Sequence, residues 1–378
     1  MIKFSITKRS TKSRARLGVL KTPHGVVQTP VMVPVATQGV IKTMTAEDVV
    51  ATKTQLLISN TFHLHLKPGE AIVKKNGGLH KFMNWPKPIM TDSAGFQVFS
   101  LGFGRDLGLG KTVKWDGGKS VAHGKQPNNI KITEQGVWFR SPVDGRKLFI
   151  GPKESIKIQE QLGADIILAF DECPPPVATK EYLIESVERT HRWAAACLKA
   201  HRTKQALYGI VQGGNHKDLR QHSARVIGAM PFDGFAIGGE FGSDKSGMAK
   251  MVGWVNDILP EAKPRHLLGI GHPDDIPYII KAGVDTFDCI APTHYARHGT
   301  AFTSRGKLDV TKQVMLNDRK PIDPQCACMT CKNYSRSYIA HLFKAKEMTA
   351  MRLVTFHNIW YFQTLVEHYR KLITQGKL

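Results

Sequence analysis

Short apolar, β-branched runs recur along the chain at Val31–Val35, Gln55–Ser59, Ile89–Thr91, Ile166–Phe170, Tyr208–Val211, Phe235–Ile237, Leu267–Ile270 and Thr286–Ile290. Each ends in polar or glycine-bearing residues and is too short for a helix, so each predicts a buried strand. Between most of them the apolar positions take helical spacing, as in Pro152–Leu162, Lys180–Lys199, His216–Ala229 and Pro273–Ala282. Two of these open on Pro, which a helix accepts in its first turn. Strands alternating with helices eight times over predict an α/β chain folded as a (β/α)8 (TIM) barrel, with its working groups at the C-terminal strand ends. An open doubly wound sheet would not usually need eight parallel strands.

Three stretches fall outside the repeat. Residues 1–30 carry short alternating runs at Phe4–Ile6, Ala15–Leu20 and Gly25–Val27, which predict a β-hairpin covering one end of the barrel assigned to 31–310. Gly102–Asn128 is rich in Gly and Lys and predicts a long loop over the end of the third strand. Its Gly110-Lys111-Thr112 and Gly118-Lys119-Ser120 lack the first glycine of a phosphate loop, with Arg105 and Val113 standing there. Residues 311–378 hold a cysteine cluster and two helical patterns, Asn333–Lys344 and Ala350–Leu372.

Composition narrows the class. No apolar run reaches membrane-spanning length, and the basic stretch Met1–Arg16 has no apolar export core, so the expected address is the cytoplasm. Lys and Arg number 53 against 31 Asp and Glu, a formal charge of +22 spread over the whole length. Such an excess points to a polyanionic partner, which releases counterions when it binds.

The cysteines add a metal. Cys326, Cys328 and Cys331 lie within six residues, while Cys173, Cys197 and Cys289 stand alone. That is poor spacing for disulfides and good spacing for a closed tetrahedral zinc site completed by one imidazole, either His357 or His341. The isolated cysteines read as small packing residues.

Candidate chemistry gathers at the strand tips. Ile89-Met90-Thr91 ends in Asp92 and turns at once through Ser93-Ala94-Gly95, where a ligand can approach the backbone and Phe96 can stack on a flat ring. Asp288 repeats the arrangement at the end of the last strand.

These stretches resemble the tRNA-guanine transglycosylases from about Ala15 to Tyr369. The resemblance is carried by Asn60–Leu64, Asp92–Leu101, Phe139–Ser141 with Asp144-Gly145, and Ala169–Cys173. It continues through Gly209–Gly214, Ala236–Gly239, Phe287–Cys289, Ala296-Arg297, and the cysteine cluster with His357-Asn358. It implies a zinc-containing barrel enzyme, acting as a homodimer, that exchanges the wobble guanine of tRNA for a 7-deazaguanine base. Asp288 is then the nucleophile and Asp92 the general acid/base. Asp171, Gln212 and the Gly239 backbone read the base, Phe96 stacks on it, and Cys326, Cys328, Cys331 and His357 take the zinc. Arg297 and Lys307 are the expected phosphate contacts.

Departures from the family pattern are local. Ala94 stands where a glycine is common, and His294 where an arginine is usual. The run Glu240–Asp244 lacks the glycine-glutamate pair of many bacterial members, so both queuine and its aminomethyl precursor stay open as the incoming base. The alternative, a catalytically silent tRNA-binding partner subunit, predicts loss of Asp92 or Asp288, and both are present. A hydrolase on the same barrel would release free base from tRNA without incorporating label.

Overall fold

The computed structural model describes residues 2–106, 130–175, 178–239 and 244–378. The predicted strands form one parallel sheet: Val31–Pro34, Leu57–Ser59, Ile89–Thr91, Ile166–Leu168, Ala206–Val211, Gly234–Ile237, Arg265–Leu267 and Thr286–Cys289. Each pairs with its neighbours in chain order and the eighth pairs with the first. The ring closes through a bridge from Val35 to Ile58 and the Ala36 N–H donating to the Ile58 carbonyl at 2.7 Å. This is the (β/α)8 barrel, with Pro152–Leu162, Lys180–Ala200 and Lys217–Gly228 among its outer helices.

Alternation along the strands sorts side chains between two cores. Val31, Val33, Ile58, Met90, Ile166, Leu168, Tyr208 and Ile210 fill the lumen. Met32, Leu57, Ile89, Ile167, Leu207 and Phe287 pack outward in the layer shared with the helices. The expected N-terminal hairpin is a three-stranded antiparallel sheet, Lys3–Arg9, Arg16–Thr22 and Gly25–Thr29. Its Phe4, Leu20 and Val27 join the lumen cluster and plug the N-terminal end of the barrel.

A repeated device orders that end. Asp165, Asp233 and Asp285 each stand one residue before a strand. Their carboxylates accept the N–H of Ile89, Leu207 and Arg265 on the neighbouring strands at 3.0, 3.0 and 2.8 Å. Two of them also latch the N-terminal sheet. Arg16 forks onto Asp285 at 2.9 and 2.6 Å, and His24 and His80 stack 3.5 Å apart, each on one oxygen of Asp165.

Some expectations shift. The seventh strand begins at Arg265, two residues before the apolar run, because most polar atoms of its first two residues find partners. Arg265 donates to the Asn256 and Leu259 carbonyls, and His266 bonds Thr286. A sheet of Ile130–Thr133, Gly136–Arg140 and Lys147–Ile150 was not foreseen, nor was the hairpin Thr300–Asp309. Helix Gly95–Asp106 occupies the start of the expected 102–128 loop, and the remainder of that loop lies outside the described residues.

The C-terminal helix Met348–Thr374 packs on the first strand and on helix Ala291–Arg297, with Gln363 donating to the Met32 carbonyl at 3.0 Å and Arg370 to Pro30 at 2.8 Å. It thereby covers the seam where the barrel closes. Among the described residues no helix is long and apolar enough to cross a membrane.

Candidate active site

Lumen alternation carries side chains past the apolar layer to the C-terminal mouth. Asp92 follows Met90 by two residues, Gln212 follows Ile210, and Asp288 follows Thr286, so all three face inward. Asp171 arrives on the turn after the fourth strand.

Asp92 is held by neutral donors. Thr61 N–H and Ala94 N–H reach one oxygen at 2.8 and 3.2 Å, and Asn60 and Gln97 side-chain amides reach the other, Gln97 at 2.8 Å. No cation pairs with it among the described residues. Burial outweighs these four hydrogen bonds and lifts its carboxyl above the ordinary range. Ala94 sits at φ +72°, a left-handed conformation that suits the glycine common in the family.

Asp171 is 4% exposed and bonds the Ser93 hydroxyl at 2.9 Å and the Gln212 amide at 2.7 Å. Burial raises its carboxyl to about 6, with the nearby charge of Asp92 adding to the effect. Its neighbour Glu172 turns the other way, into a buried network with Tyr182 at 2.6 Å and Arg189 at 2.5 Å. Gln212 Oε1 is buried without a hydrogen-bond partner beside Gly239, whose φ is +94°. A Cβ on Gly239 would lie 2.8 Å from that oxygen. A Cβ on Gly95 would lie 2.6 Å from the Asp171 carbonyl. The floor thus offers carboxylate and amide oxygens to a flat ligand bearing N–H donors, and Phe96 stands 60% exposed on the helix that opens at Gly95.

Asp288 is oriented separately. Its Oδ1 accepts the Gly269 N–H at 2.8 Å and meets His266 Nε2 at 3.2 Å, and its side chain remains 13% exposed. His266 is fully buried, with Nδ1 2.8 Å from Thr286 Oγ1. His266, Asn60 and Gln97 have no role assigned from the sequence. Only the two-residue spacing of His266 from Leu268, which packs against the lumen cluster just past the strand, could have signalled the first.

The two expected phosphate contacts follow the last barrel strand, Arg297 at the end of helix Ala291–Arg297 and Lys307 in the hairpin Thr300–Asp309. Arg297 bonds the Thr293 carbonyl at 3.1 Å, and Lys307 rests on the Tyr295 ring, 4.6 Å from its centroid. Glu240–Ser243 lie outside the described residues. The isolated cysteines are packing residues. Cys197 and Cys289 are buried, which pushes both thiols up to about 12.

Outside the barrel mouth, Cys326, Cys328, Cys331 and His357 bring their ligand atoms within 4.8 Å of one another. His357 Nδ1 is 3.5 Å from Cys328 Sγ and 3.3 Å from Cys331 Sγ, while its Nε2 donates to the Phe302 carbonyl at 2.7 Å. A tetrahedral ion with ~2.3 Å bonds to sulfur and ~2.1 Å bonds to nitrogen sets such ligands about 3.6 Å apart. The donor set therefore fits a metal, and the Phe302 carbonyl holds the tautomer that leaves Nδ1 free for it. His341 is exposed and outside this group.

Asp92 and Asp288 thus both stand at the C-terminal mouth of a parallel (β/α)8 barrel, the end where enzymes of this fold carry their working groups. Residues 10–378 match the family model described as queuine tRNA-ribosyltransferase. Proteins named queuine tRNA-ribosyltransferase from Halothermothrix orenii, Caldanaerobacter subterraneus and Desulforamulus reducens are 46%, 47% and 47% identical. Each alignment spans 100% of this chain and 95%, 95% and 96% of the relative. The chain belongs to the queuine tRNA-ribosyltransferase family, the tRNA-guanine transglycosylases, which are pentosyltransferases.

Proposed function

We propose that the protein replaces the wobble guanine of target tRNAs with a 7-deazaguanine base, queuine or its aminomethyl precursor, by double displacement. Asp288 carboxylate attacks the ribose anomeric carbon as the glycosidic bond to guanine breaks, and Asp92 gives the departing base its proton. Asp92 then takes a proton from the incoming base, whose ring nitrogen attacks the same carbon and expels Asp288 with net retention. Asp171 and Gln212 accept hydrogen bonds from the base edge, Gly239 leaves room for it, and Phe96 stacks on its face. The base enters after leaving its stack in the anticodon loop.

What carries the reading is the contrast between the two carboxylates. Asp92 is wrapped in donors and its proton affinity raised, as suits a group that both gives and takes a proton. Asp288 is aimed by one backbone N–H and one imidazole and keeps an exposed face. Arg297, Lys307 and the +22 charge serve the tRNA backbone. Cys326, Cys328, Cys331 and His357 would hold one structural zinc, which would tie the cysteine loop to the C-terminal helix without entering the chemistry. The working unit is a cytoplasmic homodimer.

Asp288→Ala should abolish incorporation of labelled guanine into unmodified tRNA and form no RNA-linked protein on denaturing gels, while folding is retained. Turnover near wild type in that variant would remove Asp288 from the role.

A further inference from the structure

Helices Lys180–Ala200 and Lys217–Gly228 lie side by side on the outside of the barrel and share a second cluster of metal-ligating groups. Glu188, His191 and His222 place one ligand atom each within 4.8 Å of one another. His222 Nε2 is 2.7 Å from Glu188 Oε1, and His191 Nδ1 is 3.5 Å from Glu188 Oε2. The His191 ring is buried, and its Nδ1 has no hydrogen bond of good geometry, with only the Glu188 carboxylate near it at 3.5 Å. Glu188 and His222 are half-exposed, so the cluster opens to solvent on one side.

We infer that this trio is a second metal site, for a divalent ion of the zinc, nickel or copper class, separate from the cysteine cluster. Two imidazoles and one carboxylate suit those ions, whereas calcium and magnesium favour all-oxygen shells. A tetrahedral ion with bonds of ~2.1 Å needs ligand atoms about 3.4 Å apart, and the 2.7 and 3.5 Å separations approach this with small rotations of the half-exposed Glu188 and His222. The ion gives the buried Nδ1 a closer partner than the Glu188 oxygen at 3.5 Å, and water completes its shell.

The support behind the ligand is already built. His191 Nε2 is 3.2 Å from Ser223 Oγ, and the same oxygen accepts the Gln212 N–H at 3.3 Å. A metal on Nδ1 leaves the proton on Nε2, where it donates to Ser223, the kind of outer contact that orients a ligating imidazole. The ion would therefore clamp two outer helices and bear on the backbone of Gln212.

The trio His24, His80 and Asp165 is the natural control, because its rings are stacked in parallel and both already spend a nitrogen on Asp165. Full-length protein with its cysteine site loaded is dialysed against Zn2+ or Ni2+, and bound metal is counted by mass spectrometry. Wild type and His24→Gln should take up one extra ion per chain and melt at a higher temperature with it. His222→Gln and Glu188→Gln, both surface changes, should lose the extra ion and the shift, and Ser223→Ala should weaken it about tenfold. No extra ion in wild type, equal uptake by His222→Gln, or loss of uptake in His24→Gln instead would overturn the assignment.

Discussion

Replacing Asp171 with Asn separates what its carboxylate does for binding from what it costs the fold. Burial raises this carboxyl from 3.8 to about 6, and Asp92 contributes through its charge. Two pH units correspond to about 3 kcal/mol at 1.36 kcal/mol per unit. The folded chain keeps this proton at pH values where the unfolded chain has lost it. Stability therefore falls as pH rises from the unfolded value through about 6, and stays low above it. Asn removes the charge while its oxygen can accept from Gln212 and its amide can donate to Ser93. Asp171→Asn should gain up to about 3 kcal/mol over wild type near pH 8 and little near pH 4, read from urea midpoints at unchanged slope. The same variant should lose about ten- to hundredfold in kcat/KM for the base, since an ionised acceptor facing an N–H donor is gone. A variant less stable than wild type near pH 8, or one with the wild-type pH slope, would refute the reasoning.

Three further outcomes follow from single contacts. Cys328→Ser should strip the bound metal and destabilise the C-terminal segment, and zinc content by atomic absorption equal to wild type would count against the cluster as its site. Gly239→Ala should raise KM for the base more than it lowers the melting temperature, because the added carbon meets Gln212 Oε1 at 2.8 Å with φ at +94°; an unchanged KM would remove Gly239 from the pocket. Asp165→Asn should cost about 2–4 kcal/mol in denaturant. Burial works against the Asp165 charge, but hydrogen bonds from His80 and His24 outweigh it and hold the carboxyl below its ordinary value. Its contribution is thus present above the unfolded value and lost as pH falls through the depressed one, a slope the Asn variant should lack.

The parts legible in the chain were those whose cause is local. Ile89–Thr91 and Pro152–Leu162 appear at the bounds that apolar runs and an opening Pro predict. The cysteine cluster meets its imidazole because three thiols in six residues have few other uses. The polarity of Arg265 and His266 argues against a buried strand, and it takes the Asn256 and Leu259 carbonyls, Thr286 and Asp288 to make them tolerable there. The sheet over 130–150 was hidden beside a Gly- and Lys-rich run. No window of sequence could show that Asp165, Asp233 and Asp285 each cap a neighbouring strand, since the partner N–H lies 76, 26 or 20 residues away.

Those caps bear on the chemistry at the opposite end. A barrel strand that slipped by one residue would turn Asp92, Gln212 or Asp288 from the lumen into the helix layer. The Asp165 cap holds Ile89, three residues before Asp92, and the Asp233 cap holds Leu207, five before Gln212. Asp285 stands three residues before Asp288, just ahead of the strand that carries it, and its carboxylate takes Arg16 and the Arg265 N–H. The acidic residues at the closed end thus pin the register of the strands that carry the candidate groups at the open end. Apolar lumen residues alone would resist a slip only through packing, which Val, Ile and Leu satisfy in more than one way. The carboxylates, two of them buried (Asp165 and Asp285), add a directional penalty, because a slip would leave a charge without its N–H donor. On this account the N-terminal sheet is more than a plug, since its Arg16 and His24 complete the two shells that make those charges tolerable.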